Sequence, residues 1–253
     1  MKTKLLIVIG LVIGEIFSLS AQDRADQQHL ENPNSFSMIL LGDPQGYTKY
    51  DINQPLFDLC TAWIADNIDN LKIKAVLCTG DVVEQNENIV RKMLNQTSRE
   101  MWEAGSNAFK RLDNKITYII SPGNHEYGFQ HSENGMTRFP EYFPFERNSA
   151  WRDICVSALP NRNNIPSLEN AAFEFNDPNW GKLLVITSEF APRDEVLEWA
   201  KKLASSDRYK DSRVIFMTHG YMDPGTAPER GKVRDHENYA ITPKNAGKQI
   251  WEK

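Results

Sequence analysis

The chain has 253 residues, with 29 Lys and Arg against 34 Asp and Glu, a net charge of −5 and 40% hydrophobic residues. That mildly acidic balance excludes nucleic acid as the main partner, because binding a phosphate backbone depends on clustered Lys and Arg. Its three cysteines, Cys60, Cys78 and Cys155, are odd in number and form neither a CxxC site nor a disulfide framework.

Lys2 and Lys4 precede an apolar run from Leu5 to Gly14, which Ile16 and Phe17 extend past Glu15. Small residues follow at Ser18, Ser20 and Ala21. This is the pattern of a signal peptide over residues 1–21. The run falls short of the roughly 20 apolar residues that span a bilayer; an uncleaved anchor is the alternative reading. The expectation is an exported protein, periplasmic or secreted. With no second long apolar segment, it has no membrane attachment after cleavage. Residues 22–35 are polar and read as a linker, so the folded domain occupies 36–253.

From there the pattern alternates. Phe36 to Leu41 is a short apolar run ended by Gly42, a strand. Over residues 54–70, apolar positions at Leu56, Leu59, Cys60, Trp63, Ile64 and Ile68 are spaced near 3.6, a helix. Ala75 to Thr79 is a buried strand ended by Gly80, and residues 88–113 read as a second helix. The sequon Asn95-Gln96-Thr97 falls within that helix and reads as chance. Thr117 to Ile120 is a third strand, ended by Ser121-Pro122-Gly123. Strand–helix–strand–helix–strand implies βαβ units and a parallel sheet, an α/β fold, at least in this half.

Residues 127–170 lack a sustained period and read as a long loop. Its aromatics, among them Phe139, Phe143 and Trp151, read as a satellite core that packs the loop down, rather than as a substrate lid. Ala171–Phe175 and Lys182–Thr187 flank Asn176-Asp177-Pro178-Asn179-Trp180-Gly181, a hairpin. Residues 193–205 form an amphipathic helix, Arg213 to Thr218 a buried strand, and 222–243 an irregular stretch; a last helix begins near Asn245. Gly225 to Lys232 imitates a phosphate loop but has five residues between its glycines and lacks the Ser or Thr after Lys232.

Four of these strands end in residues of metal-ligand type: Gly42-Asp43-Pro44-Gln45, Gly80-Asp81, Gly123-Asn124-His125-Glu126 and His219-Gly220. If they share one sheet, Asp43, Asp81, Asn124 and His219 converge beyond its carboxyl edge, where α/β sheets place their functional crevice. Carboxylate, amide and imidazole together suit Mn, Fe, Zn or Mg. Two such ions can clamp the attacking and leaving oxygens of a displacement at phosphorus. Glu84 and Glu126 read as structural or supporting residues, and His29 and His131 as surface ones.

The ordered motifs GD-x-Q, GD-x-x-E, GNHE and a strand-end HG resemble those of calcineurin-like metallophosphoesterases, over roughly residues 36–221. That resemblance implies a β-sandwich flanked by helices. It also implies two divalent or trivalent ions, Mn, Fe or Zn: Asp43 and Gln45 on the first, Asp81 bridging, Asn124 and His219 on the second. His125 would stand over the leaving group as proton donor or charge stabiliser. The implied reaction is hydrolysis of a small-molecule phosphate ester by a metal-bound hydroxide. Two departures stand out. Gln45 replaces the family's usual histidine, and the final GHxH motif is absent, so the last strands are missing from the expected fold. His236 reads as a solvated loop residue. The alternative reading is a relic of the same fold that binds metal weakly and does no chemistry.

Overall fold

The computed structural model describes residues 28–90, 96–223, 225 and 231–253. The expected signal peptide and Asn95 of the sequon lie outside the described residues, as do residues 91–95 of the expected second helix. No described helix is long and apolar enough to cross a membrane.

The first half builds a sheet of three parallel strands, β1 (Ser37–Leu41), β2 (Ile73–Cys78) and β3 (Thr117–Ile120), in that order. Between β1 and β2 lie a short helix, α1 (Gln45–Lys49), and then α2 (Gln54–Asp66). Helix α3 (Ser98–Lys110) connects β2 to β3. It begins ten residues later than the apolar spacing suggested, because Thr97 and Glu100 form a capping box. The Glu100 N–H donates to Thr97 Oγ1 (3.3 Å) and the Thr97 N–H to Glu100 Oε2 (2.7 Å). Ile89 and Val90, which looked like part of the helix, are exposed.

The second half builds a separate sheet, β4 (Cys155–Leu159), β5 (Asn170–Asp177), β6 (Gly181–Thr187) and β7 (Arg213–Met217), again in chain order. The first three are antiparallel, and β7 returns parallel to β6. The hairpin is therefore as expected, but the strand leading to His219 is not in the sheet that leads to Asp43, Asp81 and Asn124. The supposed loop over 127–170 holds β4 and two one-turn helices, α4 (Phe139–Tyr142) and α5 (Ser149–Arg152). Helices α6 (Asp194–Ala204) and α7 (Gly247–Glu252) complete the chain.

The two sheets share one core. Ala75, Val76 and Tyr118 of the first join Ala171, Phe173, Val185 and Met217 of the second in a single buried cluster. Period-two alternation explains the second sheet's other face. Ala172, Leu184 and Ile186 point away from that core, into a cluster with Ala200 of α6. Phe139, Phe143 and Trp151 enter the main core rather than a satellite. Tyr118 packs against Trp151 and Phe109 at 4.9 Å, and Phe143 against Phe109 at 5.6 Å. All three cysteines are free, with Cys78 buried in β2.

Candidate metal centre

The carboxyl ends of the two sheets are stitched together. Ser121 Oγ, just after β3, donates to the main-chain oxygen of Ser188 (2.9 Å), and Thr187 Oγ1 donates to that of Ile120 (3.3 Å). The exit of β7 is thereby carried to the exit of β2, where His219 Nδ1 lies 2.8 Å from the main-chain oxygen of Thr79. Asp43, Asp81 and His219 come together there, each offering a ligand atom within 4.8 Å of the others. Asn124 joins them through Oδ1, 3.1 Å from His219 Nε2.

The local backbone explains why glycines precede these groups. Asp43 and Asp81 both adopt positive φ, +34° and +52°, a strained setting for a residue with a Cβ. Gly80, at φ +107°, runs so close to the next loop that a Cβ there would meet Ser121 O and Gly123 N at 2.4 Å. A Cβ on Gly123 would lie 2.1 Å from Asp81 Oδ1. The two turns nest, and only glycine permits that approach.

Glu126 holds the nest. Its fully buried carboxylate accepts the N–H groups of Gly123 (2.7 Å), Asp81 (2.8 Å) and Val83 (3.1 Å). Burial, helped by the charge of Asp81, pushes its carboxyl up to about 7. Glu169, also fully buried, is raised by burial despite hydrogen bonds from Tyr127, Asn161 and Ser167. Both folded values lie above the unfolded ones. The stability tied to them is thus present below the ordinary carboxyl value of 4.5 and lost as pH rises above it, for Glu126 as pH rises through about 7. Chelator-treated protein is expected to lose about 1–3 kcal/mol between those limits. A Tm that stays flat across the same interval in differential scanning calorimetry would contradict this.

The electrostatics are those of an acceptor cluster. A main-chain oxygen can only accept, so His219 Nδ1 carries the proton and donates to Thr79. In the neutral ring, Nε2 is then a lone pair facing Asn124 Oδ1 at 3.1 Å and Asp81 Oδ2 at 3.5 Å. The Gln45 amide satisfies its surroundings with its nitrogen toward the main-chain oxygens of Asp43 (2.7 Å) and Asp81 (3.0 Å). Its other end, then oxygen, lies 3.4 Å from Asp81 Oδ2. Burial raises the Asp81 carboxyl, against the pull of His219 and His125. A proton on His219 relieves part of this repulsion; a cation relieves all of it, and the donor set fits a divalent ion. Asp81 is closed in, with 6% of its side chain exposed, whereas Asp43 is 57% exposed, so the centre opens to solvent on that side.

His125 stands beside the cluster. Its Nδ1 is 2.5 Å from the main-chain oxygen of Glu84, its N–H donates to Asp81 Oδ1 (3.1 Å), and its Nε2 lies 4.0 Å from Asp81 Oδ2. Glu84 accepts Lys49 Nζ at 2.8 Å, a supporting role.

One group here went unnoticed in the sequence, and another was read as a surface residue. Tyr239, from the irregular stretch, places its hydroxyl against the Asn124 side chain, and its ring packs on Phe190, which in turn packs on His219. His131 is half-buried against His125 rather than free on the surface. A lone tyrosine or histidine in an aperiodic segment carries no pattern that could have marked it. His236 is exposed.

A family model described as calcineurin-like phosphoesterase matches residues 36–246. A curated relative, "Uncharacterized protein YvnB" of Bacillus subtilis (strain 168), is 24% identical over 189 residues, which make up 74% of this chain and 13% of that protein. The chain therefore spans about an eighth of that relative's length.

Proposed function

The chain belongs to the calcineurin-like phosphoesterase family, and from that premise we propose that it hydrolyses phosphate esters of small molecules at a two-metal centre. In this reading Asp43 and Gln45 would hold one ion, Asn124 and His219 the other, and Asp81 would serve both. The observation that carries it is the convergence of donors: Asp43, Asp81 and His219 each offer a ligand atom within 4.8 Å of the others, and Asn124 Oδ1 lies 3.1 Å from His219 Nε2. Such ions, when bound, supply Lewis-acid stabilisation of phosphoryl oxygens and acidify water.

The chain's own residues do the rest. Glu126 and the nested glycines fix the positions of Asp81 and Asn124 before any ligand arrives. His125 has its Nδ1 committed to Glu84 O, which leaves Nε2 free, 4.0 Å from Asp81 Oδ2. In its protonated form Nε2 can hand a proton to the departing alkoxide, a step worth about 10²–10⁴-fold in related chemistry. The signal-like N-terminus supports an enzyme that works outside the cytoplasm; cell fractionation tests that directly.

A second reading has its own observation. Among the described residues the only His, Cys, Asp and Glu group of this kind is Asp43, Asp81 and His219, with a single histidine and one exposed carboxylate. A relic that binds one ion and turns nothing over would look like this. The two separate on purified protein, stripped with chelator and reloaded with Mn, Zn or Fe. About two ions per chain and metal-dependent hydrolysis of p-nitrophenyl phosphate are expected. One ion without turnover favours the relic, and no bound ion removes both readings.

A further inference from the structure

His131 lies on a loop that nothing in the metal chemistry requires, yet that loop is pinned at every turn. The Gly128 N–H donates to Met136 O (2.8 Å), the Ser132 N–H to Tyr127 O (2.7 Å) and the Ile241 N–H to Ser132 O (2.8 Å). Ser132 Oγ donates to the main-chain oxygen of Asn124 (2.8 Å), and Asn86 Nδ2 to that of Gly128 (2.8 Å). Glu133 folds back to accept the N–H groups of His131 (3.1 Å) and Gln130 (3.0 Å). Ser132 itself is fully buried at φ +58°. A left-handed serine persists only where its surroundings over-determine it, and such positions gather at functional sites.

This anchoring delivers one side chain. The His131 ring meets His125 nearly perpendicular, at 87°, with centroids 4.8 Å apart. The contact matters because, beyond its own Cβ, the His125 ring has one close polar tether, Nδ1 to Glu84 O, while Nε2 lies 4.0 Å from Asp81 Oδ2, beyond hydrogen-bond reach; a neighbouring ring narrows the remaining freedom. Burial first, and any charge on His125, hold His131 below the ordinary imidazole range. We propose that His131 is a positioning residue for His125, fixing the plane in which His125 presents Nε2 toward the leaving group.

The kinetic part of the test rests on the phosphoesterase reading; the spectroscopic part does not. A group that aids departure matters most when the leaving group is poor. In His131→Ala, kcat on an alkyl phosphate is expected to fall about ten-fold with KM unchanged, and on p-nitrophenyl phosphate by less than about two-fold. His131→Phe keeps an edge-on ring without its nitrogens and should recover most of the loss. An equal fall on both esters, or a Phe variant no better than Ala, would overturn the proposal.

Imidazole nitrogen correlation spectra of the metal-free protein read the same point independently. Glu84 O fixes the tautomer with or without His131, so the reading is the sharpness of the His125 ring correlations: His131→Ala should broaden them as the ring samples more than one plane, while His131→Phe keeps them sharp. If the Ala variant leaves them as sharp as in the native chain, the positioning role is wrong even should the native chain hydrolyse neither ester. Absence of native turnover would sink the phosphoesterase reading alone, with the spectra still deciding His131.

Discussion

Asp81→Asn is expected to lower metal-dependent hydrolysis by at least about 10³-fold while leaving the metal-free protein as stable as before, or more so. Asp81 is buried at the midpoint of the cluster. Its Oδ1 accepts the His125 N–H at 3.1 Å, and its Oδ2 faces His219 Nε2 at 3.5 Å. Asparagine preserves the first contact, because its oxygen still accepts. At the second it places an NH2 group where a lone pair and an amide oxygen previously met an anion. The change therefore satisfies, with its own protons, the repulsion that a cation would otherwise relieve. It also removes a buried charge that burial already disfavours, as the raised Asp81 carboxyl indicates.

The consequence is a split that a general folding defect cannot imitate. Native protein should gain Tm on adding Mn or Zn, by linkage of binding to folding. Asp81→Asn should start from an equal or higher metal-free Tm and gain almost nothing. Paired thermal melts with and without metal, alongside p-nitrophenyl phosphate assays, measure both halves. Full turnover, or a native-sized rise in Tm with metal, would show that Asp81 is not at the metal.

Much of this centre was readable because strand exits leave a mark. An apolar run, a glycine and a polar residue recur at Gly42-Asp43, Gly80-Asp81 and Gly123-Asn124. A short strand and a sharp turn leave little freedom in where the next side chain points. His219 shows the limit of that logic. Convergence was expected on the condition of one shared sheet, yet His219 comes from the second sheet and reaches Thr79 where Ser121 and Thr187 bond the sheet ends together. Such hydroxyl-to-carbonyl links have no sequence period.

Helix α2 is ambiguous for another reason. It carries apolar residues on two stripes, so spacing identifies a helix but not its inner face. The structure buries Phe57, Thr61 and Ile64 and exposes Leu56, Leu59 and Trp63. Tertiary partners decide between the stripes, here Phe109 against Phe57 at 5.6 Å. Strand β4 was missed because its partners are distant in sequence. Cys155 to Leu159 is only half-buried, and it is held as a strand by pairing with β5.

Gly123→Ala should be nearly as damaging as Asp81→Asn, although it adds one methyl group and removes no functional atom. The new Cβ would lie 2.1 Å from Asp81 Oδ1, 2.8 Å from Cγ and 2.9 Å from the Asp81 backbone nitrogen. None of these can step aside cheaply. The carboxylate is fenced by His125, His219 and Gln45, and the nitrogen is tied to Glu126 at 2.8 Å. The turn must open, which carries Asp81 away from Asn124 and His219 and loosens the grip of Glu126. Overpacking of this kind costs about 1–3 kcal/mol, and a misplacement of about 1 Å at a reacting centre can cost about 10²-fold in rate.

Gly46 provides the control. A Cβ there meets nothing within 4 Å, although its neighbour Gln45 belongs to the cluster. Gly46→Ala should therefore keep native metal content and turnover, while Gly123→Ala loses bound metal at a secondary structure content still native by circular dichroism. If Gly123→Ala binds metal like the native chain, the nested turns do not fix the donors, and the preorganisation argued for this centre is wrong. If Gly46→Ala fails as badly, the loss reflects intolerance of any added bulk near the first strand exit. The two glycines differ in what surrounds them and not in chemistry, so the contrast isolates the close approach of the two turns as the cause.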